Sequence, residues 1–139
     1  MKVEFYELEG KVYPLTFSLS TSNEIIKKYK NLNALQFMLK SEKTPLNKKV
    51  DVLCTVLESM IYSGCQYYNA FRKQPYDKAP INNDGKFIPL TAEQISLVFV
   101  PTEEKVNELS RKIQNCISNS SNKEITGRAK QNAKKKKNR

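Results

Sequence analysis

The chain has 139 residues, a length that favours one domain, and its 39% hydrophobic and 27% charged residues are ordinary for a globular protein. It has no histidine and three cysteines without a CxxC pair, which leaves no His-based catalytic triad and argues against a zinc site or a disulfide framework. The formal net charge is +10, but residues 118–139 hold eight Lys/Arg against one acid, and residues 1–117 hold sixteen against thirteen. The basic character therefore belongs mainly to the end of the chain.

The cellular setting follows from three further features. The N-terminal run MKVEFYELEGK lacks the apolar segment of a signal peptide, and no stretch approaches the ~20 apolar residues of a membrane span. Cys54 and Cys65 lie among apolar residues at helical spacing, which predicts buried free thiols. We therefore expect a protein of a reducing cytoplasm, without a membrane segment, a metal or a cofactor.

The beginning of the chain predicts a β-hairpin over residues 3–17. Apolar and polar residues roughly alternate in 3–8, Glu-Gly at 9–10 supplies a turn, and residues 12–17 run back. Pro14 lies in the second strand, and because proline donates no ladder hydrogen bond, its nitrogen must face an edge. A two-stranded sheet is marginal by itself, so the hairpin must pack on helices or on another chain.

Two short helices are predicted next. The small polar run 18–22 suits a helix N-cap, and a helix follows over about 22–30. A second helix is predicted over 33–40, before a break that contains Pro45. The residues expected to face inward are Ile25, Ile26 and Tyr29 in the first helix, and Leu35, Met38 and Leu39 in the second.

The strongest pattern is a long amphipathic helix over about 47–72, whose apolar residues repeat with the 3.6-residue period of a helix. Gly64 lies on its apolar face, which indicates either close approach of another element or a glycine that is merely tolerated. The predicted apolar face consists of Val50, Leu53, Cys54, Leu57, Met60, Ile61, Gly64, Tyr68 and Phe71.

Residues 73–90 hold three prolines and an Asn-Asp-Gly, which predicts a long loop with a small hairpin around 84–85. Loops of this length are often functional or mobile. Thr91 begins a capping-box pattern, so a helix of about two turns should follow through Val98. A last helix is expected over about 102–117, with an apolar stripe of Val106, Leu109, Ile113, Cys116 and Ile117.

These elements predict a mainly α, α+β fold: a single globular domain over 1–117, in which an N-terminal β-hairpin packs on about five helices. Residues 118–139 are polar, lack aromatic residues and contain one aliphatic β-branched residue, Ile125. Such a composition cannot bury enough apolar surface to offset ordering, so this basic C-terminal tail is predicted to be disordered.

No catalytic constellation is readable, and we expect a protein that is not an enzyme. The tightest acidic pair, Glu103-Glu104, lies where the positive end of a helix favours negative charge. No sequence motif brings together a nucleophile, a base and an oxyanion donor. A function in holding another macromolecule remains.

Aromatic residues supply candidates for protein binding, because exposed tyrosines and a mobile loop suit a protein interface. Tyr62 falls on the polar face of the long helix and Tyr67 at the edge of its apolar face, while Tyr76 and Phe87 lie in the predicted loop. Single exposed aromatic residues are also common without a function.

The basic tail supplies an alternative, binding of nucleic acid through release of counterions from phosphates. Its candidate residues are Lys134, Lys135, Lys136, Lys137 and Arg139. No aromatic residue is interleaved to stack on bases, and no RNA-binding signature occurs, so nucleic acid is the less favoured partner.

Short hydrophobic runs occur in a characteristic order along nearly the whole chain. They are 10–19 (GKVYPLTFSL), 24–25, 28–29, 53–61 with Gly64 and Tyr68, 89–93 (PLTAE) and 113–117, and a polar tail with 130–133 (KQNA) follows them. This order resembles the small tail assembly chaperones of long-tailed, siphovirus-like phages and of prophages of Gram-positive bacteria. Against that pattern, residues 73–88 resemble an insertion, and 134–139 are more basic than usual.

The resemblance implies a function in viral morphogenesis in the cytoplasm of a bacterial host. Such chaperones coat the long, helical tape measure protein, keep it soluble and help recruit tail tube subunits. A programmed frameshift near the end of the gene often yields an extended form, which the resemblance makes a further partner. The hairpin edge also permits a homo-oligomer. The alternatives are a nucleic-acid-binding accessory protein and a structural component of the virion tail.

Overall fold

The structure, a computed structural model, describes residues 2–118. The strands are β1 (Val3–Leu8) and β2 (Lys11–Thr16). The helices are α1 (Leu19–Tyr29), α2 (Leu32–Lys40), α3 (Leu46–Tyr67), α4 (Ala92–Val98) and α5 (103–118), and a π-helical turn (Tyr68–Arg72) extends α3. An N-terminal hairpin on five helices confirms the predicted α+β class. The tail predicted for 118–139 lies, apart from residue 118, outside the described residues.

The hairpin has the predicted turn and register. Glu9 and Gly10 have φ values of 50° and 78°, as a two-residue hairpin turn that matches strand twist requires. Residue pairs across the two strands alternate between hydrogen-bonded and non-hydrogen-bonded, starting from the turn. The Phe5–Pro14 pair is therefore non-hydrogen-bonded. The Pro14 nitrogen therefore points away from β1, as expected for a proline at a strand edge.

Close packing of α3 on β2 fixes the centre of the fold. A Cβ atom at Gly64 would overlap the carbonyl oxygen of Pro14 and lie 2.5 Å from its carbonyl carbon. Only glycine fits this crossing, so the prediction of a close approach is confirmed. The core around it is formed by side chains that are fully buried, among them Leu15, Leu53, Leu57, Met60, Ile61 and Cys65.

Capping residues begin the shorter helices where the polar runs predicted them. Ser18 caps α1, Asn31 caps α2, and Thr91 forms the predicted capping box with Gln94.

The prediction that Ile26 faces inward is wrong, because its side chain is 45% exposed. Helix α1 buries only a narrow stripe, Thr21 and Ile25. Ile26 is one residue further along the helix, so its side chain is rotated by about 100° from Ile25 and points away from the core.

The C-terminal end of α3 also differs from the prediction. The α-helix ends at Tyr67, and the π-helical turn closes with a hydrogen bond of 2.6 Å from the Lys73 amide to the Tyr68 carbonyl. The wider turn rotates each residue by less than an α-helix does. Tyr68 stays buried, whereas Phe71, predicted on the same apolar face, is 76% exposed.

Residues 73–90 form a loop that contains a small hairpin. An antiparallel β-bridge between Ile81 and Phe87 closes this hairpin, and Gly85 has a φ of 78° in its turn, as predicted around 84–85. The five residues of the predicted α5 stripe are all buried. Cys54 and Cys65 are buried free thiols, as predicted, and so is Cys116.

Candidate functional site

A groove with a volume of about 500 Å³ lies between α1, the middle of α3 and the extended segment 89–91. Its size falls in the range of sites that bind small ligands or the side chains of a partner. Charged groups, including Glu24 and Lys28 of α1, lie beside the apolar surface. We call it the α1–α3 groove, and its apolar lining consists of Ile25, Tyr29, Val56, Tyr62, Pro89 and Leu90.

Helical periodicity places the groove residues of α1 and α3. Ile25 and Tyr29 are four residues apart, as are Glu24 and Lys28, so α1 contributes two adjacent rows to one wall. Tyr62 stands at the opposite wall with its side chain 51% exposed. An aromatic ring that is half exposed at the edge of an apolar groove is available to a partner.

The third wall is tied to α3 by a carboxylate. Glu58 accepts a hydrogen bond of 2.6 Å from the amide of Ala92, the first residue of α4. This amide is one of the donors that a helix start leaves without a partner in its own helix. The bond holds segment 89–91 beside α3, so this wall of the groove is fixed by a contact within the chain.

Hydroxyl groups fix the position of α1 on α3. Thr16 and Ser63 are 2.6 Å apart, and Ser63 donates a bond of 2.7 Å to Ser18, the N-cap of α1. Thr21 donates to the Ser59 carbonyl at 3.4 Å. We call Thr16, Ser18, Thr21 and Ser63 the hydroxyl chain. It satisfies polar groups that the core would otherwise leave unpaired.

The four candidate residues for protein binding are not brought together. Tyr62 lines the α1–α3 groove, whereas Tyr67, Tyr76 and Phe87 belong to an aromatic cluster around Tyr68. Tyr76 is half-buried, and its hydroxyl donates a bond of 2.6 Å to the Val12 carbonyl. That contact ties the predicted mobile loop to β2.

Phe87 is a core residue, so its expected exposure in a mobile loop is wrong. Its side chain is 2% exposed and its ring lies 4.9 Å from the ring of Tyr68. Asn69 accepts a bond of 2.8 Å from the Phe87 amide and donates one of 3.1 Å to its carbonyl. The side chain of a residue 18 positions earlier thus acts as a strand partner for Phe87.

A second surface, which sequence reasoning missed, lies where the π-helical turn ends. Tyr67 and the exposed Phe71 have ring centroids 5.6 Å apart, and the Arg72 guanidinium lies 5.5 Å from the Tyr67 centroid. Arg72 Nε also donates a bond of 3.4 Å to the Tyr67 hydroxyl, and this bond raises the pKa of Arg72. We call Tyr67, Phe71, Arg72 and Lys73 the aromatic patch. The sequence pattern gives no sign of the π-helical turn that creates it.

Metal ligands and reactive thiols were also sought among the described residues. Within residues 2–118, no group of three or more His, Cys, Asp or Glu residues is placed to hold a metal ion. Burial raises the pKa of Cys65 to about 12 and that of Cys116 to about 11, so both thiols stay protonated at neutral pH. The nucleic-acid candidates in the tail, 134–137 and Arg139, lie outside the described residues.

Comparisons with family models, with curated proteins and with solved structures found no match for this chain. Within the part of the chain that the structure describes, no helix combines the length and apolar character that crossing a membrane requires.

Proposed function

We propose that the protein is a phage tail assembly chaperone, which works in the host cytoplasm and holds the tape measure protein in its α1–α3 groove. One observation carries the proposal: the groove is open and apolar, with a half-exposed Tyr62 at one wall. The partner's identity comes from the resemblance of the runs within 10–117 to such chaperones. The proposed role is one of holding, without catalysis.

The groove suits an amphipathic helix as its occupant. Helix-in-groove recognition places apolar side chains spaced three and four residues apart against an apolar surface. The α1–α3 groove offers Tyr29, Tyr62 and Leu90 to such a row, with Glu24 and Lys28 beside them to meet charges on the partner. A long helical protein with repeated apolar positions presents this pattern many times.

Repetition makes weak single sites sufficient. When several copies bind one long partner, each binding event raises the effective concentration for the next, provided that copies also contact each other. Contacts with tail tube subunits, with a frameshift-extended form of the chain and with further copies of it belong to the same proposal. Their surfaces are not assigned.

Co-expression with the tape measure protein of the same genome tests the proposal. The wild-type chain should raise the soluble fraction of that protein. Tyr62→Ser should abolish most of the increase, since truncation of a central aromatic contact weakens binding by about 2 kcal/mol or more, roughly thirtyfold. Phe37→Ser is the matched control, because Phe37 is an aromatic residue of α2 that is 74% exposed and lies outside the groove.

Exposed Tyr62 should be replaceable with little change in stability, which circular dichroism and thermal unfolding of the variant verify. Equal solubility of the tape measure protein with and without the wild-type chain contradicts the proposal. Presence of the chain in purified virions favours the structural-component alternative instead.

A further inference from the structure

The aromatic patch is an unusual end for an amphipathic helix. Phe71, Arg72 and Lys73 are three consecutive exposed residues, and the π-helical turn directs them outward while Tyr68 remains in the core. Lys73 has a φ of 57°, a left-handed conformation that ends the helix at once. π-Helical turns inside or at the end of α-helices occur frequently at functional sites.

Phe71 stands on a rigid support. Its ring lies against Tyr67, which packs edge-on to Tyr68 at 6.2 Å, and Tyr68 in turn packs on Phe87 in the core. Arg72 is held over the Tyr67 ring and bonded to its hydroxyl. The exposed face of Phe71 and the Arg72 guanidinium therefore lie next to each other on the Tyr67 ring.

The charged residues that are nearest to the aromatic patch in the sequence are all basic. Between Glu58 and Asp77 there is no acidic residue, whereas Arg72 and Lys73 supply two cations beside the exposed ring. Exposed aromatic rings that stack on bases, next to cations that contact phosphates, are the combination that binds single-stranded nucleic acid without strict sequence preference.

We propose that the aromatic patch binds a short run of single-stranded nucleic acid, with a base stacked on Phe71 and the adjoining phosphates on Arg72 and Lys73. Stacking and phosphate contacts use chemistry that RNA and DNA share. The proposal is independent of the α1–α3 groove. It also differs from the alternative based on the C-terminal lysines, because it rests on residues of the folded domain.

Fluorescence anisotropy with labelled U20 and dT20 oligonucleotides and the full chain tests the proposal. Phe71→Ala should weaken binding of at least one oligonucleotide about fivefold or more, since loss of one stacked base lowers affinity by about 1–3 kcal/mol. Tighter binding of U20 than of dT20 identifies RNA as the ligand, and tighter binding of dT20 identifies DNA. Leu97→Ala is the matched control, because Leu97 is 78% exposed and lies on α4, outside the patch.

Arg72→Ala should weaken binding. It should also make the negative slope of log affinity against log salt concentration less steep by about 0.7, the contribution of one phosphate contact on a single strand. Lys86→Ala, an exposed cation in the small hairpin, should change neither. An unchanged affinity of Phe71→Ala overturns the proposal, since the tail lysines alone then account for binding. Equal displacement of the oligonucleotides by polyglutamate of the same charge favours an acidic protein partner and also overturns it.

The two proposals fail separately. Phe71→Ala should still keep the tape measure protein soluble, and Tyr62→Ser should still bind the oligonucleotides. If folded Phe71→Ala keeps the oligonucleotide affinity of the wild-type chain but no longer keeps the tape measure protein soluble, the patch is part of the protein-binding surface and the nucleic-acid proposal is wrong.

Discussion

The middle of α3 and its C-terminal turn carry similar apolar residues, yet one is buried against the hairpin and the other displays its side chains. In the middle, Gly64 lets the backbone of α3 touch the backbone of Pro14. At the end, five residues of π-helical turn direct Phe71 outward, although helical periodicity assigns it to the face of Tyr68. The difference shows that backbone geometry, and not only hydrophobicity, decides which apolar residues become surface.

The two regions also differ in how they tolerate change. At a crossing without space, one added methyl group must displace an entire element. At an exposed turn, removal of a whole ring leaves no cavity.

The largest effect is expected for Gly64→Ala, which should lower the free energy of unfolding by about 4 kcal/mol. The added Cβ overlaps backbone atoms of Pro14, and backbone on both sides cannot move aside as a flexible side chain does. Urea unfolding followed by circular dichroism measures the change. Gly85→Ala is the control: it has open space but a φ of 78°, so it should lose only about 1 kcal/mol. Equal losses would falsify the tight crossing.

Phe87→Ala and Phe71→Ala form a matched pair of the next size. Phe87 is buried in the aromatic cluster, so truncation should leave a cavity and lower the free energy of unfolding by about 3–4 kcal/mol. Phe71 projects into solvent, and its truncation should change stability by no more than about 0.5 kcal/mol. The same urea titration compares them. A large loss for Phe71→Ala would mean that the turn is part of the core.

The smallest effect near neutral pH is expected from the buried thiols. Burial raises the pKa of Cys65 to about 12 and that of Cys116 to about 11 from ordinary values of 9.0, because the charged thiolate is disfavoured in the core. The unfolded chain therefore loses these protons first. Their contribution to stability is complete below about pH 9 and is lost as pH rises through 11 to 12.

Urea midpoints measured at intervals from about pH 7 to pH 11 check this dependence, and they should fall only above about pH 9. The Cys65→Ala variant should show a shallower decline than the wild-type chain, whatever its stability at pH 7. A midpoint that stays level up to pH 11 would show that the thiol is accessible to water.

Local signals predicted much of the fold. The Glu-Gly turn, the capping box at Thr91 and the stripe of α5 each lie within a few residues, where periodicity and turn chemistry act directly. Burial of Phe87 depends on Asn69, a contact between segments that the sequence pattern does not connect. For that reason the loop appeared more exposed than it is.

The site was predictable only in part for the same reason. Tyr62 was identified as exposed because it lies on the polar face of a strongly periodic helix. Tyr29 and Leu90 became groove residues only through the packing of α1 and segment 89–91 on α3. The exposure of Phe71 required a change of helix type, which depends on tertiary packing and leaves no compositional mark.

The hydroxyl chain makes one wall of the groove depend on the hairpin. Thr16 and Ser18 reach Ser63 across 47 and 45 residues, so α1 gains its anchored start only after the hairpin has docked on α3. Contacts of such long sequence separation form late, because loop-closure entropy opposes them. The α1 wall of the groove is therefore fixed in place only when the hairpin packs on α3.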